Sequence, residues 1–289
     1  MNYRSPLRLQ IITRYPVLVI ILFLYHIQPS LSQDYYFASY GVSDGLSSSK
    51  VYRIIQASTD YLWLGTGSGV TRWDGSEFEN FSSDDGLTTG GVMSLLEDPA
   101  GRIWMGHLNG GLSCYYNNTF SQVALDTFNI TGDISDMVLL GDELWISTSL
   151  SSNGAFRARI TGKDSEVLTA RQYRGAQGLS DQVFDLYVYD NTLYCITDVG
   201  IKRYNNETDR FEAYRPEGLT TFFLTTSMLI DSRGGQWFGT HNGGLYYFPP
   251  ADGEPVVYDA RDGLAHNEIS CISENSRGEI WVGTWGGGI

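Results

Sequence analysis

The feature that most restricts how this chain can fold is an internal repeat. A phrase centred on Gly-Leu returns as Asp44-Gly45-Leu46, Asp85-Gly86-Leu87, Gln177-Gly178-Leu179, Glu217-Gly218-Leu219 and Asp262-Gly263-Leu264. Neighbouring copies lie roughly 40 residues apart. One interval is about double, and Gly132, in Thr131-Gly132-Asp133-Ile134, falls at its middle. A second phrase follows each copy: Leu62-Trp63-Leu64-Gly65-Thr66, Ile103-Trp104-Met105-Gly106, Leu144-Trp145-Ile146-Ser147-Thr148, Leu193-Tyr194-Cys195-Ile196-Thr197, Gln236-Trp237-Phe238-Gly239-Thr240 and Ile280-Trp281-Val282-Gly283-Thr284. Six units of roughly 40–49 residues result.

Each unit reads as four short strands. In the first, residues 51–56 are apolar and β-branched, as expected of an innermost strand buried on both faces. Residues 61–66 form a second strand, 70–74 a third and 78–81 an outer one, with Gly67-Ser68-Gly69 supplying a tight turn. The fifth unit repeats the pattern at 224–230, 235–240, 244–248 and 255–258. Short antiparallel strands at this period mark an all-β fold, a β-propeller of four-stranded blades. Trp63, Trp104, Trp145, Trp237 and Trp281, with Tyr194 at the remaining position, are then expected to be buried between blades.

Composition agrees. Only 18% of residues are charged, whereas Gly (33), Tyr (19) and Trp (7) are plentiful, as in strand-and-turn proteins. The formal net charge of -14 disfavours nucleic acid as a partner. Residues 1–32 read as an export signal, leaving 33–289 as the propeller. Arg4, Arg8 and Arg14 precede an unbroken apolar run at 17–25, and Ser30 and Ser32 flank the expected cleavage point before Gln33. An uncleaved anchor is the rival reading, but that run falls well short of the roughly 20 residues needed to span a bilayer. Cys114, Cys195 and Cys271 are odd in number and far apart, and read as small buried hydrophobes. No cofactor or metal motif is evident, and the four histidines stand alone.

The unit Asp-Gly-Leu…Val-x-x-Ile…Asp-x-x-Gly-x-Ile-Trp-x-Gly-Thr resembles the two-component regulator propeller repeat. Residues 92–106 and 231–240 show it best, whereas Ser147, Ile196 and Tyr194 depart from it in units 3 and 4. The resemblance implies a periplasmic sensor domain of a histidine kinase or hybrid two-component receptor, seven-bladed and often paired with a second propeller. It also implies a following Ig-like domain and membrane span that anchors the whole protein in the inner membrane, a catalytic kinase region outside this stretch, and oligosaccharide recognition in several members. A homodimer is a further expectation. Because the sixth unit shows two strands before Ile289, the chain is expected to be an incomplete ring. Residues 35–40 (Tyr-Tyr-Phe-Ala-Ser-Tyr) are expected to form an outer strand that closes it.

No catalytic constellation stands out. Asp98 and Asp231 lie six residues before Trp104 and Trp237, one more than a sialidase Asp-box uses, and Asp44, Asp85 and Asp262 read as turn formers. A ligand would meet the turns between second and third strands. There Asn109, His241, Asn242 and Trp285, with His107 and Asp198, offer amide, imidazole and aromatic groups suited to a sugar. The alternatives are a propeller-fold glycan lyase or glycosidase, and a non-catalytic protein-interaction scaffold.

Overall fold

The computed structural model describes residues 38–149, 153–160, 167–216, 224–250 and 253–289. The expected export signal, residues 35–37 and the Glu217-Gly218-Leu219 phrase lie outside these; residues 38–40 form no strand. Among the described residues the only helical pieces are three short 3₁₀ turns, and no helix is long and apolar enough to cross a membrane. The unit Tyr40–Ile289 is built of sheets.

Among the described residues, five blades have four strands in simple meander order and a sixth has two. Blade 1 comprises β1 (Val51–Gln56), β2 (Leu62–Thr66), β3 (Gly69–Trp73) and β4 (Phe78–Phe81), and blade 2 comprises β5 (Val92–Glu97), β6 (Ile103–His107), β7 (Leu112–Tyr116) and β8 (Thr119–Leu125). Blade 3 runs through β9 (Asp133–Leu140), β10 (Glu143–Ser149), β11 (Ala155–Arg159) and β12 (Val167–Tyr173). Blade 4 has β13 (Val183–Tyr189), β14 (Thr192–Thr197), β15 (Gly200–Asn205) and β16 (Arg210–Ala213). Blade 5 has β17 (Thr225–Ile230), β18 (Gln236–Thr240), β19 (Leu245–Phe248) and β20 (Val256–Tyr258), and blade 6 has β21 (Ile269–Glu274) and β22 (Ile280–Thr284). The propeller reading therefore holds. One departure is that β12 pairs in parallel with β8, through Val167↔Ala124 and Leu168↔Leu125, so the outer edges of blades 2 and 3 share one sheet.

Innermost strands pack in series, β1 on β5, β5 on β9, β9 on β13, β13 on β17 and β17 on β21. The conserved-looking phrase explains how they come so close. A Cβ on Gly106 would sit 2.3 Å from Ile134 Cγ2, and one on Gly239 would sit 2.6 Å from Ile269 Cγ2; both obstacles belong to the next blade's first strand. Hydroxyls then tie first strand to first strand. Ser94 donates to Ile134 O at 3.0 Å, Ser135 to Val183 O at 2.6 Å and Thr226 to Ile269 O at 2.6 Å.

Between blades the repeated ring fills the wedge. Trp63 lies 4.9 Å from Tyr115 and 6.5 Å from Phe120 of blade 2 between ring centroids. Trp145 meets Tyr204 at 4.9 Å and Phe211 at 5.9 Å of blade 4. Both reach third and fourth strands of the neighbour. Trp63, Trp104, Trp145 and Tyr194 are accordingly buried. Trp237 and Trp281 are only half-buried, contrary to the expectation for the ladder. Trp237 touches Tyr247 and Tyr258 of its own blade, and the described part of blade 6 has no third or fourth strand to complete the wedge. β1 is likewise less buried than expected, with Ile54 56% exposed, because it stands at the end of the packing series. Cys114 and Cys195 are buried, but Cys271, on β21, is exposed.

The Asp six residues before the Trp has a structural task. Asp98 Oδ2 accepts from Trp104 Nε1 at 2.9 Å and from Arg102 Nε at 2.6 Å, and its Oδ1 accepts from the Ala100 and Arg102 amides. Asp231 does the same for Trp237 Nε1 at 2.8 Å and for the Arg233 and Gly235 amides. In blade 3 the equivalent residue is Leu139, and the buried Trp145 indole N–H has no hydrogen-bond partner. Packing holds that ring, through Tyr173, Tyr204, Phe211 and the Arg157 guanidinium. Trp145→Ala should cost about 3–5 kcal/mol in urea unfolding, and Trp281→Ala distinctly less because its ring already meets solvent. Equal costs would show that the wedge contacts do not set the difference.

Candidate functional site

The repeated Gly-Leu turn organises one end of the ring. Asp44 Oδ2 accepts from the Gly41 amide at 2.8 Å, Asp85 Oδ2 from the Ser82 amide at 2.8 Å and Asp262 Oδ2 from the Asp259 amide at 3.0 Å. The glycine after each takes a left-handed conformation (φ 110° at Gly45, 105° at Gly86, 107° at Gly263), which only glycine adopts without strain. Leu46 and Leu87 then drop into the core. These carboxylates are committed to turns.

At the same end lie the turns between second and third strands. The Thr that closes each second strand donates to a carbonyl across the turn: Thr66 to Gly69 O (3.2 Å), Thr148 to Gly154 O (2.9 Å), Thr197 to Gly200 O (2.6 Å), Thr240 to Gly244 O (2.8 Å) and Thr284 to Gly288 O (2.8 Å). His107 occupies that position in blade 2. It is fully buried, hydrogen-bonds Ser113 Oγ through Nε2 at 2.9 Å, and is driven down to about pKa 4 by burial. The expectation that His107 faces a ligand is corrected: the imidazole is tied to Ser113 inside the blade and does not reach the surface.

The other five candidates are exposed on the turns at this end. Asn109 has φ 62°, and its amide donates to Asp133 Oδ1 at 2.8 Å. Asp198 accepts from Ser180 Oγ. His241 and Trp285 are drawn together by a residue the sequence reading missed. Glu268 accepts from His241 Nδ1 through its carboxylate at 2.7 Å, and its backbone carbonyl accepts from the Trp285 amide at 2.8 Å. Asn242 adjoins His241, and Trp285 is 70% exposed. The structure thus assembles His241, Asn242, Glu268 and Trp285 from blades 5 and 6, and leaves Asn109 and Asp198 on blades 2 and 4. The residue before each innermost strand could have pointed to Glu268: Lys50, Gly91 and Leu224 use their carbonyls in the same way, toward Gly67, Leu108 and His241.

A second group lines the innermost strands. Each of the six has a register shift at one level, and the residue after it is Arg53, Ser94, Asp136, Asp185, Ser227 or Cys271. Such bulges re-aim side chains. Arg53 of blade 1 pairs with Asp136 of blade 3, skipping blade 2, and stands 3.9 Å from Asp185 of blade 4. Asp136 is buried and also accepts from the Leu186 amide at 3.2 Å. Burial pushes Asp185 up to about 6 against the opposing pull of Arg53. Among the described residues no group of His, Cys, Asp or Glu forms a metal site.

Because the folded pKa of Asp185 lies above its unfolded value of about 3.9, the folded state holds a proton that the unfolded chain releases. Stability is therefore expected to fall as pH rises from about 4 through about 6. Asp185→Asn should abolish that slope and be the more stable protein at pH 7, the two converging near pH 4, as read by denaturant midpoints across pH. A parent curve that is flat or rising through this window would contradict the burial argument.

Comparison with known proteins places the repeat. The family model described as "Two component regulator propeller" matches residues 86–109 and 263–286, which carry Asn109 and Trp285. No curated protein matches the chain by sequence. Among solved structures, the extracellular domain of BT3049 from B. thetaiotaomicron, described as a hybrid two component system, is similar at 20% identity and TM-score 0.53, over 87% of this chain and 41% of that one. PorZ of Porphyromonas gingivalis, a surface component of the type-IX secretion system, aligns at 16% identity and TM-score 0.66, over 83% and 38%. Virginiamycin B lyase from Staphylococcus aureus aligns at 12% identity and TM-score 0.58, over 82% and 78%. At these identities the likeness is one of fold, and the chain spans well under half the length of the BT3049 domain and of PorZ.

Proposed function

This chain carries two-component regulator propeller repeats, and on that premise we propose that it is the extracytoplasmic ligand-sensing part of a two-component receptor, and that its ligand is an oligosaccharide. The export signal read in residues 1–32 supports the location. The observation that carries the ligand class is Trp285, a large ring 70% exposed, whose backbone amide bonds the carbonyl of Glu268, the residue paired with His241 next to Asn242. An exposed indole offers the apolar face that a pyranose ring stacks on, and the neighbouring amide, imidazole and carboxylate supply donors and acceptors for its hydroxyls. The His241 imidazole is held by Glu268, and neither meets a side-chain hydroxyl or thiol among the described hydrogen bonds. The grouping is suited to recognition. Kinase output, membrane span and any second propeller belong to this proposal as parts of the receptor beyond this stretch.

A glycan array followed by calorimetry on the exported chain tests the reading. At least one neutral oligosaccharide should bind, and Trp285→Ala and Asn242→Ala should each weaken it by about 10-fold, the cost of one stacking or hydrogen-bonding contact. Binding that survives both substitutions places the ligand elsewhere. Turnover of the bound glycan favours the lyase or glycosidase alternative. An array with no hit, alongside capture of a partner protein, favours the scaffold.

A further inference from the structure

The other end of blade 3 carries a different chemistry. Arg157 and Arg159 are two residues apart on β11 and so share one face. Across the sheet Arg171 stands opposite Arg157, and Thr169 opposite Arg159, on β12. On the other side Glu143 stands opposite Arg159, and the buried Trp145 opposite Arg157, on β10. Over this block lies a cavity of about 420 Å³ lined by Glu143, Arg157, Arg159, Thr169, Ala170 and Arg171.

The charges here do not close among themselves. Two guanidiniums directly opposite each other repel, and a third follows on the same face. Among the described residues two carboxylates lie within 4 Å of them. Asp209 of blade 4 holds Arg171 Nη1 at 2.5 Å and lies 3.7 Å from Arg157 Nη1, but it also accepts from the hydroxyls of Tyr173 and Tyr204, each at 2.6 Å. Glu143 Oε1 lies 3.7 Å from both Arg157 Nε and Arg159 Nη2, too far for a hydrogen bond to either. Arg157 is fixed from below, its guanidinium 5.8 Å from the Trp145 ring centre and 5.5 Å from that of Tyr173. Arg159 and Arg171 are 64% and 53% exposed at the cavity. Among the described residues, a chain of net charge -14 thus gathers three guanidiniums over a concave surface, with a threonine hydroxyl beside them and the Asp126 carboxylate accepting from the Ala170 amide at 3.1 Å.

We propose that this block is a binding site for an oxyanion, a carboxylate, sulfate or phosphate group presented by a small soluble molecule. Guanidinium forks match the geometry of such groups and bind them bidentately. The site is distinct from the rim grouping around Trp285 and stands or falls separately from it. The source of the oxyanion is either a free inorganic anion or an acidic sugar.

Calorimetry on the chain at low salt, with sodium sulfate, sodium phosphate and glucuronate as probes and glucose as the neutral control, decides between them. At least one anion should bind saturably and raise the melting temperature, glucose should not bind at this site, and added chloride should weaken the binding. Arg159→Gln and Arg171→Gln should each reduce affinity by about 10-fold, the worth of a charge-assisted hydrogen bond, while Arg159→Lys retains part of it. Circular dichroism checks that the variants fold, and Arg159, being the most exposed of the three, gives the cleaner test. Preference for glucuronate assigns an acidic sugar, and preference for sulfate or phosphate assigns a free oxyanion. Absence of saturable binding by all three anions, or affinity unchanged in both glutamine variants, overturns the proposal.

Discussion

Close approach of consecutive innermost strands is the constraint from which the remaining architecture follows. Where the second strand ends, Gly65, Gly106 and Gly239 leave no room for a side chain, since the neighbouring first strand already occupies it. That contact sets the tilt of one blade on the next, and the tilt opens an outward wedge that a Trp can fill. The same approach brings hydroxyls of one first strand within reach of carbonyls on the next, so groups that would otherwise be buried without partners are satisfied. Removing the glycine would separate the strands, empty the wedge and orphan those carbonyls together. Packing and hydrogen bonding are not independent here.

Blade 3 shows how the constraint bends. Ser147 replaces the glycine, and its hydroxyl bonds Ser135 Oγ at 2.9 Å and Asp136 O at 3.2 Å, turning an obstacle into a connector. Leu139 replaces the acid that anchors the indole in blades 2 and 5, leaving the Trp145 N–H without a partner, a loss of about 1–3 kcal/mol for a buried donor. Stacking against Tyr173, Tyr204 and Phe211 offsets part of this. The parallel pairing of β12 with β8 adds hydrogen bonds at the periphery of the same blade, supplemented by the Asp126 amide donating to Leu168 O at 2.9 Å. Blade 3, which departs from the repeat at Leu139 and Ser147, is therefore also held from its outer edge.

The repeat made the blades, strand order and turn chemistry legible, because Asp, Gly and Trp at a fixed period each have one economical structural use. Legibility stopped where a residue's role depends on a partner from another blade. His107 looked like new chemistry because it broke a run of threonines, yet the position is buried whichever residue fills it. Trp237 and Trp281 carry the same motif as Trp145, but burial comes from the neighbour's third and fourth strands. Arg53, Asp136 and Asp185 sit nine or ten residues before the Trp or Tyr position in their units, a constant offset that a register count would have found. What no count reveals is the bulge that aims them inward. Glu268 belongs to no repeated phrase by side chain, and only its backbone role recurs.

These placements leave the two ends of the ring chemically unlike. At the turn end, blades 5 and 6 carry an exposed indole, an amide and a hydrogen-bonded imidazole–carboxylate pair. At the opposite end of blade 3, among the described residues, three guanidiniums have two carboxylates within 4 Å. Between them, the Arg53–Asp136 pair crosses from blade 1 to blade 3 at the level of the bulges. A charged group entering between the innermost strands would have to displace a buried carboxylate's partner, which is costly when the carboxylate has one other donor. In a strongly acidic chain, long-range repulsion would also keep anionic molecules from the turn end while the arginine block offers them one local exception. The polarity of the fold, turns and entering strands at one end and hairpin connections at the other, is what separates the two chemistries.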